Sequence, residues 1–170
     1  IDYHRMELLG VLPEAKQLSR LTLRQVTRDI DAEVMVGEEY LDNPVQRLIV
    51  GAMTAHNALS YLAPGVLMIT GGDRDDLLLA AAGFSFMNPD PEHVMAGIIL
   101  TGGMVPHTSI REMLRQGSFP VLLHEKDSYS VAAMVHNLVA KIQVQDTTKH
   151  HVAMRLVREH FNVDRMLELL

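Results

Sequence analysis

One pattern occurs twice in the sequence and strongly restricts its fold: an apolar, strand-like run ends in Thr-Gly-Gly and leads into a helical pattern. The first copy is 68–72 and the second is 99–103. Glycine pairs directly after buried strands are typical of tight strand-to-helix turns. Strand and helix patterns alternate through the second half of the chain, which favours parallel strands joined by right-handed crossovers. We therefore predict a three-layer α/β/α fold with a mostly parallel sheet.

The other elements are predicted from hydrophobic periodicity and from helix-capping residues. A capping box, Thr22-x-x-Gln25, begins one helix. A second box, Ser109-x-x-Glu112, begins another helix that is expected to turn Met113 inward. The remaining predicted strands are 6–12, 33–36, 47–53, 66–70, 95–100 and 119–123, and the remaining predicted helices are 56–62, 75–87, one from Asp127 and one from Asp146.

The first glycine turn leads into an acidic stretch that contains Asp73, Asp75 and Asp76. These carboxylates suit the start of a helix but repel a phosphate group placed there. We interpret Asp73 as the N-cap, accepting a hydrogen bond from the amide of Asp76. Arg74 is expected to pair with a nearby carboxylate or to reach across an interface.

The second glycine turn is followed by the uncharged residues 104–106. The amides of Gly102 and Gly103 are therefore expected to be free, so that an anion could bind there. The alternative is that these glycines only permit a tight turn with positive φ angles. Thr70 and Thr101 are expected to bond to turn amides. Ligands of open α/β sheets bind at the carboxyl ends of the strands, and both turns lie at that edge.

Composition excludes several classes of function. The net charge of −6 argues against a sequence-independent nucleic-acid binder, which needs a dense basic surface. The chain has no cysteine, which rules out disulfides, thiolate metal sites and cysteine nucleophiles. Its nine histidines are scattered without the spacing of a metal site. The longest apolar stretch, 77–87, is far shorter than the roughly 20 residues of a membrane span. We predict no catalytic residue, metal or cofactor, and a cytoplasmic location.

Several of these segments together resemble the DRTGG domain family. The resemblance lies in Gly72-Asp73-Arg74, in 97–103 with its Thr101-Gly102-Gly103, in 119–121 and in Asp127 before a helix. The segment 8–13 is similar to the chain that leaves a dethiobiotin-synthetase-like P-loop domain. At the other end, 152–170 is similar to the closing segment of this region in long phosphate acetyltransferases. The resemblance therefore covers essentially the whole chain.

The resemblance implies a regulatory or assembly module with a fold similar to the N-terminal domain of HPr kinase. In long phosphate acetyltransferases such domains lie between a P-loop domain and the acetyltransferase domain, and related domains pair into dimers in some pyrophosphatases. It implies a homo-oligomer, dimeric or larger, with flanking domains of the same polypeptide as further partners. From the negative net charge and the short apolar stretch, we expect no nucleic-acid partner and no membrane partner. The predicted organisation is an N-terminal strand and linker at 1–21, the DRTGG-like domain at 22–145 and a helical tail at 146–170.

Three alternatives to a non-catalytic regulatory or oligomerisation module stay open at this point. The chain could be a sensor that binds an anionic metabolite or nucleotide at the two turns. It could be part of a phosphate acetyltransferase-related enzyme whose catalytic domain is absent here. It could also be an unrecognised enzyme that uses Asp73. The candidate ligand-binding residues are Thr70, Gly72, Asp73, Arg74, Thr101, Gly102 and Gly103.

Overall fold

The computed structural model describes residues 8–15, 18, 21–90, 94–138 and 147–168. The chain divides into two compact units. The larger unit is Leu21–Val139, and the smaller unit combines Ile1–Arg20 with Ala140–Leu170. The predicted division at residues 21 and 145 into three segments stays a prediction.

Among the described residues, the strands all belong to the larger unit and form two sheets. They are β1 (Leu21–Thr22), β2 (Glu33–Val36), β3 (Pro44–Val45), β4 (Arg47–Val50), β5 (Val66–Gly71), β6 (Gly97–Thr101) and β7 (Val121–Leu123). The main sheet has the order β2-β7-β6-β5-β4, while β1 and β3 form a separate antiparallel pair. Strands β4 to β7 are parallel to their neighbours, and β2 runs antiparallel to β7. The predicted mostly parallel sheet is confirmed.

Among the described residues of the larger unit, five α-helices accompany the sheet. They are α1 (Leu23–Asp29), α2 (Ala55–Ala58), α3 (Asp75–Met87), α4 (Thr108–Arg115) and α5 (Ser128–His136). The smaller unit contains α6 (Thr147–His160) and α7 (Val163–Glu168), and an isolated antiparallel bridge joins Gly10 to Phe161.

The two faces of the main sheet carry separate hydrophobic cores, because successive side chains of a strand point to opposite faces. Within β5, Met68 packs into one core while Leu67 and Ile69 pack into the other. The first core includes buried residues of α2, α3 and α4. The second core includes buried residues of α1 and α5. The sheet is thus covered by helices on both faces, which confirms the three-layer α/β/α architecture. Strand β6 is buried along its whole length, as expected for a strand covered on both sides.

One predicted capping box is confirmed and the other is wrong. The Thr22 hydroxyl accepts a bond from the Gln25 amide, and the Gln25 side chain accepts one from the Thr22 amide. Helix α4, in contrast, begins at Thr108, so Ser109 lies inside its first turn and cannot be the N-cap. The N-cap is His107, whose ring Nδ1 accepts a bond from the Ser109 amide at 3.2 Å. Met113 was expected to turn inward, but it is 39% exposed.

Several predicted boundaries also change. The strand expected at 6–12 is not formed within its described residues 8–12, where Gly10 makes only the isolated bridge. The strand expected at 47–53 ends at Val50, and the helix expected at 56–62 is the single turn α2. The helix from Asp127 continues to His136. Any continuation past residue 138, and Asp146 itself, lie outside the described residues.

Candidate functional site

The two Thr-Gly-Gly turns lie side by side at the carboxyl edge of the sheet. Strands β5 and β6 are neighbours, and their register pairs Gly71 with Thr101. The approach is so close that a Cβ atom on Gly72 would lie 1.7 Å from the carbonyl oxygen of Met104. Glycine is therefore required at position 72 because the two turns touch through their backbones. The expectation that the turns are adjacent is confirmed.

Arg74 connects the first turn to the loop that follows β4. Its Nη1 donates to the carbonyl oxygen of Gly51 at 3.0 Å, and its Nη2 donates to that of Met53 at 2.7 Å. Its Nε and Nη2 also donate to the two carboxylate oxygens of Asp76, each at 2.9 Å. A planar guanidinium suits such multiple, directional donation. Arg74 therefore binds the start of α3 to the end of β4, and the expected pairing with a carboxylate is confirmed.

The Arg74–Asp76 contact shifts both groups toward their charged forms. The hydrogen bond from Arg74 lowers the pKa of Asp76 below its ordinary value, and partial burial opposes this shift. The same hydrogen bond raises the pKa of Arg74. The ion pair is partly open to solvent, since the Arg74 side chain is 31% exposed and the Asp76 side chain 47%.

The interpretation of Asp73 as the N-cap of α3 is wrong. The N-cap position is taken by Arg74, whose side chain makes no capping bond, and the helix begins at Asp75. The helix starts one residue later than the capping interpretation requires. Asp73 instead lies beside the turn, where its Oδ1 would be 2.5 Å from a Cβ atom on Gly71.

The two threonines form a chain of hydrogen bonds across the sheet edge. The Thr101 hydroxyl donates to the carbonyl oxygen of Thr70 at 3.1 Å, and the Thr70 hydroxyl donates to that of Gly51 at 3.4 Å. The Thr101 hydroxyl also lies 2.6 Å from the Ser128 hydroxyl. A hydroxyl has one proton to donate, so Ser128 must be the donor in that pair. The threonines bind carbonyl and hydroxyl groups, not turn amides as the sequence suggested.

The amides of the second turn are not free. Gly102 donates its amide proton to the carbonyl oxygen of Lys126 at 2.8 Å, and Gly103 donates to that of His124 at 3.1 Å. Both glycines have positive φ angles, 75° and 63°, as the alternative interpretation of a tight turn predicted. The turn is also not neutral, because a carboxylate oxygen of Glu125 would lie 2.6 Å from a Cβ atom on Gly103.

The loop after β7 supplies these acceptors and is held in place by His124. The imidazole Nδ1 accepts a bond from the Lys126 amide at 3.0 Å, so its Nε2 carries the proton and donates to the Ile30 carbonyl oxygen at 3.1 Å. A cavity of about 600 Å³ adjoins this loop. Four of the nine residues that line it are acidic: Asp29, Asp31, Glu33 and Glu125.

Asp127 caps the helix that follows this loop. Its Oδ1 accepts bonds from the amides of Tyr129 and Ser130, both at 3.0 Å, and its Oδ2 accepts the Ser130 hydroxyl at 2.7 Å. These bonds, with that from the Ser130 hydroxyl foremost, lower the pKa of Asp127. A carboxylate whose charged form is stabilised in this way is a weak base, so the Ser130–Asp127 contact is a helix cap and not an activated nucleophile.

The structure brings all seven predicted site residues to one edge and engages many of their polar groups, mostly with residues of the neighbouring loops and helices. Sequence reasoning missed the groups that complete this edge: the carbonyl oxygens of Gly51 and Met53, the Ser128 hydroxyl and the loop 124–126. All of these follow the ends of β4 and β7, so the rule that placed the glycine turns at this edge would have found them. Within the described residues no group of three or more His, Asp or Glu side chains could hold a metal ion. No helix of the described residues is long and apolar enough to cross a membrane.

The segment that contains both glycine turns matches a known protein family. A family model described as the DRTGG domain matches residues 25–138. Because that match spans more than half of the chain, the chain belongs to the DRTGG domain family.

Curated relatives include phosphate acetyltransferases from several bacteria. The protein of Nitratidesulfovibrio vulgaris is 29% identical over 155 residues, which cover 89% of this chain and 22% of the relative. The protein of Pseudomonas aeruginosa is 31% identical over 160 residues, which cover 92% of this chain and 22% of the relative. The chain thus spans about a fifth of the length of the curated relatives it matches.

A solved structure shows a similar fold. It is the crystal structure of the CBS and DRTGG domains of the regulatory region of Clostridium perfringens pyrophosphatase, complexed with the activator diadenosine tetraphosphate. It is 22% identical in sequence, with a TM-score of 0.56, and the match covers 84% of this chain and 58% of that chain.

Proposed function

We propose that this chain is a non-catalytic regulatory and oligomerisation module. Its membership of the DRTGG family supports a regulatory role. The phosphate acetyltransferases that it resembles match it over only a small part of their length, which supports a role beside a catalytic domain and not as one. The module acts by self-association and by contact with flanking domains of a phosphate acetyltransferase-related polypeptide.

The observation that carries this proposal is the internal bonding of the turn edge. The Arg74 guanidinium donates hydrogen bonds to Asp76 and to backbone carbonyl oxygens of the loop after β4. The amides of Gly102 and Gly103 donate to carbonyl oxygens of the loop after β7. A catalytic site needs donors and bases directed at the reacting atoms of a substrate. Here the same kinds of group join the ends of β4, β5, β6 and β7, which makes this edge a rigid structural element.

Two measurements on the full chain test the proposal. Sedimentation velocity at micromolar concentration should show a dimer or a larger assembly, and a strict monomer would contradict an assembly role. An assay of acetyl transfer between acetyl phosphate and coenzyme A should show no turnover. Turnover that Asp73→Asn abolishes while the chain stays folded would favour the hidden-enzyme alternative instead.

A second candidate function is that of a sensor for an anionic metabolite or nucleotide. The observation in its favour is the structural likeness to a regulatory region that was crystallised with a dinucleotide activator. In this chain the ligand would contact Thr70, Gly72, Asp73, Arg74, Thr101, Gly102 and Gly103. Because the amides of Gly102 and Gly103 already have acceptors, such a ligand must displace the carbonyl oxygens of the loop 124–126.

Calorimetry of the full chain separates this candidate from the first. The panel consists of nucleotides, pyruvate, phosphoenolpyruvate, acetyl phosphate and coenzyme A. A sensor should release or absorb heat with at least one of them, and Thr101→Val should weaken that binding while Tyr129→Phe leaves it unchanged. Silence across the whole panel would rule the sensor out for these compounds.

A further inference from the structure

We propose that the outer face of α3 is the surface through which two copies of this chain associate. This inference rests on the self-association proposed above and assigns it to specific residues. The outer face is defined here as Leu79, Gly83, Phe86 and Met87.

The composition of α3 is unusual for a helix at the surface. No charged residue occurs in the eleven positions 77–87. A surface helix normally carries charged or polar residues opposite its buried stripe, whereas a helix that is apolar all round is normally buried on all sides. In this chain only one side of α3 is buried in the core, through residues such as Leu77, Leu78 and Ala81.

The other side of α3 presents large apolar groups to solvent. Leu79 is 42% exposed, Phe86 46% and Met87 83%. With Gly83 they stand at positions i, i+4, i+7 and i+8, which fall within an arc of about 100° on a helix. Gly83 lies midway along this stripe, and a Cβ atom built on it would have nothing within 4 Å.

Exposed apolar groups are concentrated on this side of the sheet. Helix α3 packs against both α2 and α4. The residues that directly follow α2 add Leu59 at 51% exposure and Tyr61 at 47%, and α4 adds Met113 at 39%. On the opposite side, among the described residues of α1 and α5, Tyr129 is the only exposed large apolar residue. The α3 side is therefore the apolar side of the larger unit.

The area is sufficient for a pair of identical chains. If a large apolar side chain has ~200 Å² of surface, the six exposed residues of the α3 side present roughly 600 Å² per copy. Two such faces would bury about 1,200 Å², the lower limit for specific protein–protein interfaces. The face also lacks charge at its centre, as the cores of such interfaces do.

The pattern on α3 is complementary to itself, which favours a second copy over a different partner. A twofold axis requires one surface patch to fit the same patch on the other copy. When two α3 helices cross in antiparallel orientation at Gly83, the Leu79 end of one helix meets the Phe86 and Met87 end of the other. The missing side chain at the crossing point lets the two helix axes approach to the short end of the usual range, about 8 Å.

Disulfide trapping tests this arrangement directly, because the chain has no cysteine of its own. A helix crossing at Gly83 brings the two copies of position 83 within the roughly 4.4–6.8 Å between Cα atoms that a disulfide spans. Under mild oxidation, Gly83→Cys should give a covalent dimer on a non-reducing gel. The matched control, Tyr129→Cys, carries its thiol on the opposite side of the sheet and should show no covalent dimer on the same gel.

Two further variants separate loss of association from loss of folding. Gly83→Gln adds a good helix former, so the melting temperature of the dilute chain should hold or rise. The added side chain at the crossing should nevertheless weaken the dimer by about tenfold or more, as for a central interface residue. Phe86→Glu should weaken the dimer similarly, whereas Tyr129→Glu, the matched change on the other side, should leave it unchanged.

The possible outcomes distinguish this inference from the function on which it rests. A monomeric unaltered chain overturns both. A dimeric chain that Gly83→Cys fails to trap, and that Phe86→Glu leaves intact, overturns the α3 surface but not self-association. That second result is also expected if a different protein or domain covers α3. Selective trapping through Gly83→Cys, together with weaker association of Gly83→Gln, supports the proposal.

Discussion

Gly72 and Met104 are in backbone contact, although they belong to different turns. A Cβ atom on Gly72 would lie 1.7 Å from the Met104 carbonyl oxygen and 2.6 Å from its carbonyl carbon. Each turn thus limits the position of the other, because neither backbone can move without opening the contact. The repeated Thr-Gly-Gly pattern marks two turns that are built to pack together.

Replacing Gly72 with alanine should strongly destabilise the fold. The added methyl group cannot be accommodated by a side-chain rearrangement, because the atoms that it meets are backbone. We expect Gly72→Ala to lower the free energy of unfolding by about 3 kcal/mol or more, measured by urea denaturation. The matched control is Gly83→Ala, which has open space and should raise the free energy of unfolding of the dilute, monomeric chain by about 0.5–1 kcal/mol. Equal stabilities for the two variants would contradict the packing of the turns.

Removing the Thr101 hydroxyl should break the hydrogen-bond chain between Ser128 and Thr70. Thr101 is 2% exposed, so water cannot readily replace the lost bonds. We expect Thr101→Val to cost about 1–3 kcal/mol of unfolding free energy, because it leaves buried polar groups without their partner. In the control Thr27→Val, the lost hydroxyl bonds only to a carbonyl oxygen of its own helix, that of Leu23. If the loss of unfolding free energy at position 101 is no larger than that at position 27, the hydrogen-bond chain does not stabilise the fold.

Arg74→Lys should lower the melting temperature by several degrees even though it conserves the charge. An ammonium group cannot contact both Asp76 carboxylate oxygens and the carbonyl oxygens of Gly51 and Met53 at the same time. The matched change Arg115→Lys affects only an exposed pair with Glu112 and should leave the melting temperature unchanged. If the two variants melt alike, Arg74 is not the link between α3 and the β4 loop.

Ionisation of Asp76 should make the free energy of unfolding depend on pH under acidic conditions. Arg74 lowers the pKa of this carboxyl group from its ordinary value of 3.8, so the folded chain favours the charged form. The stability that this provides is fully present above pH 3.8 and is lost as the pH falls through the lower folded value. The unaltered chain should therefore be more stable than Asp76→Asn at neutral pH, by a small margin because the pair is half exposed.

That margin should narrow as the pH falls below 3.8, and it should close below the lowered pKa of the folded chain, where the carboxyl group is protonated in both states. Denaturation curves of both proteins, recorded at neutral and at acid pH, check this expectation. A margin that grows on acidification would show that the sign of the shift is wrong.

Local sequence signals predicted the fold well where the interacting residues are close in the chain. The box at Thr22 and Gln25 depends on two residues three positions apart, and the structure contains it. The strands β5 and β6 were recognisable because both are buried on two faces and read as continuous apolar runs. The box at Ser109 failed because the imidazole of His107, a residue type seldom considered as a cap, takes that position.

The candidate site was less predictable because its bonds join residues that are distant in sequence. Gly102 looked free when only its neighbours were considered, but its acceptor is a carbonyl oxygen of the loop after β7. Arg74 likewise finds Gly51 and Met53 only once β4 lies beside β5. Backbone carbonyl groups carry no sequence signal, so partners of this kind follow from the topology of the sheet and not from residue types.

Sedimentation equilibrium of the full chain over a range of micromolar concentrations tests the central claim most directly. A module that works by self-association should show a mass that rises with concentration toward twice the 19.0 kDa of the single chain, or to a larger multiple. A mass that stays at 19.0 kDa over the whole range would contradict the account.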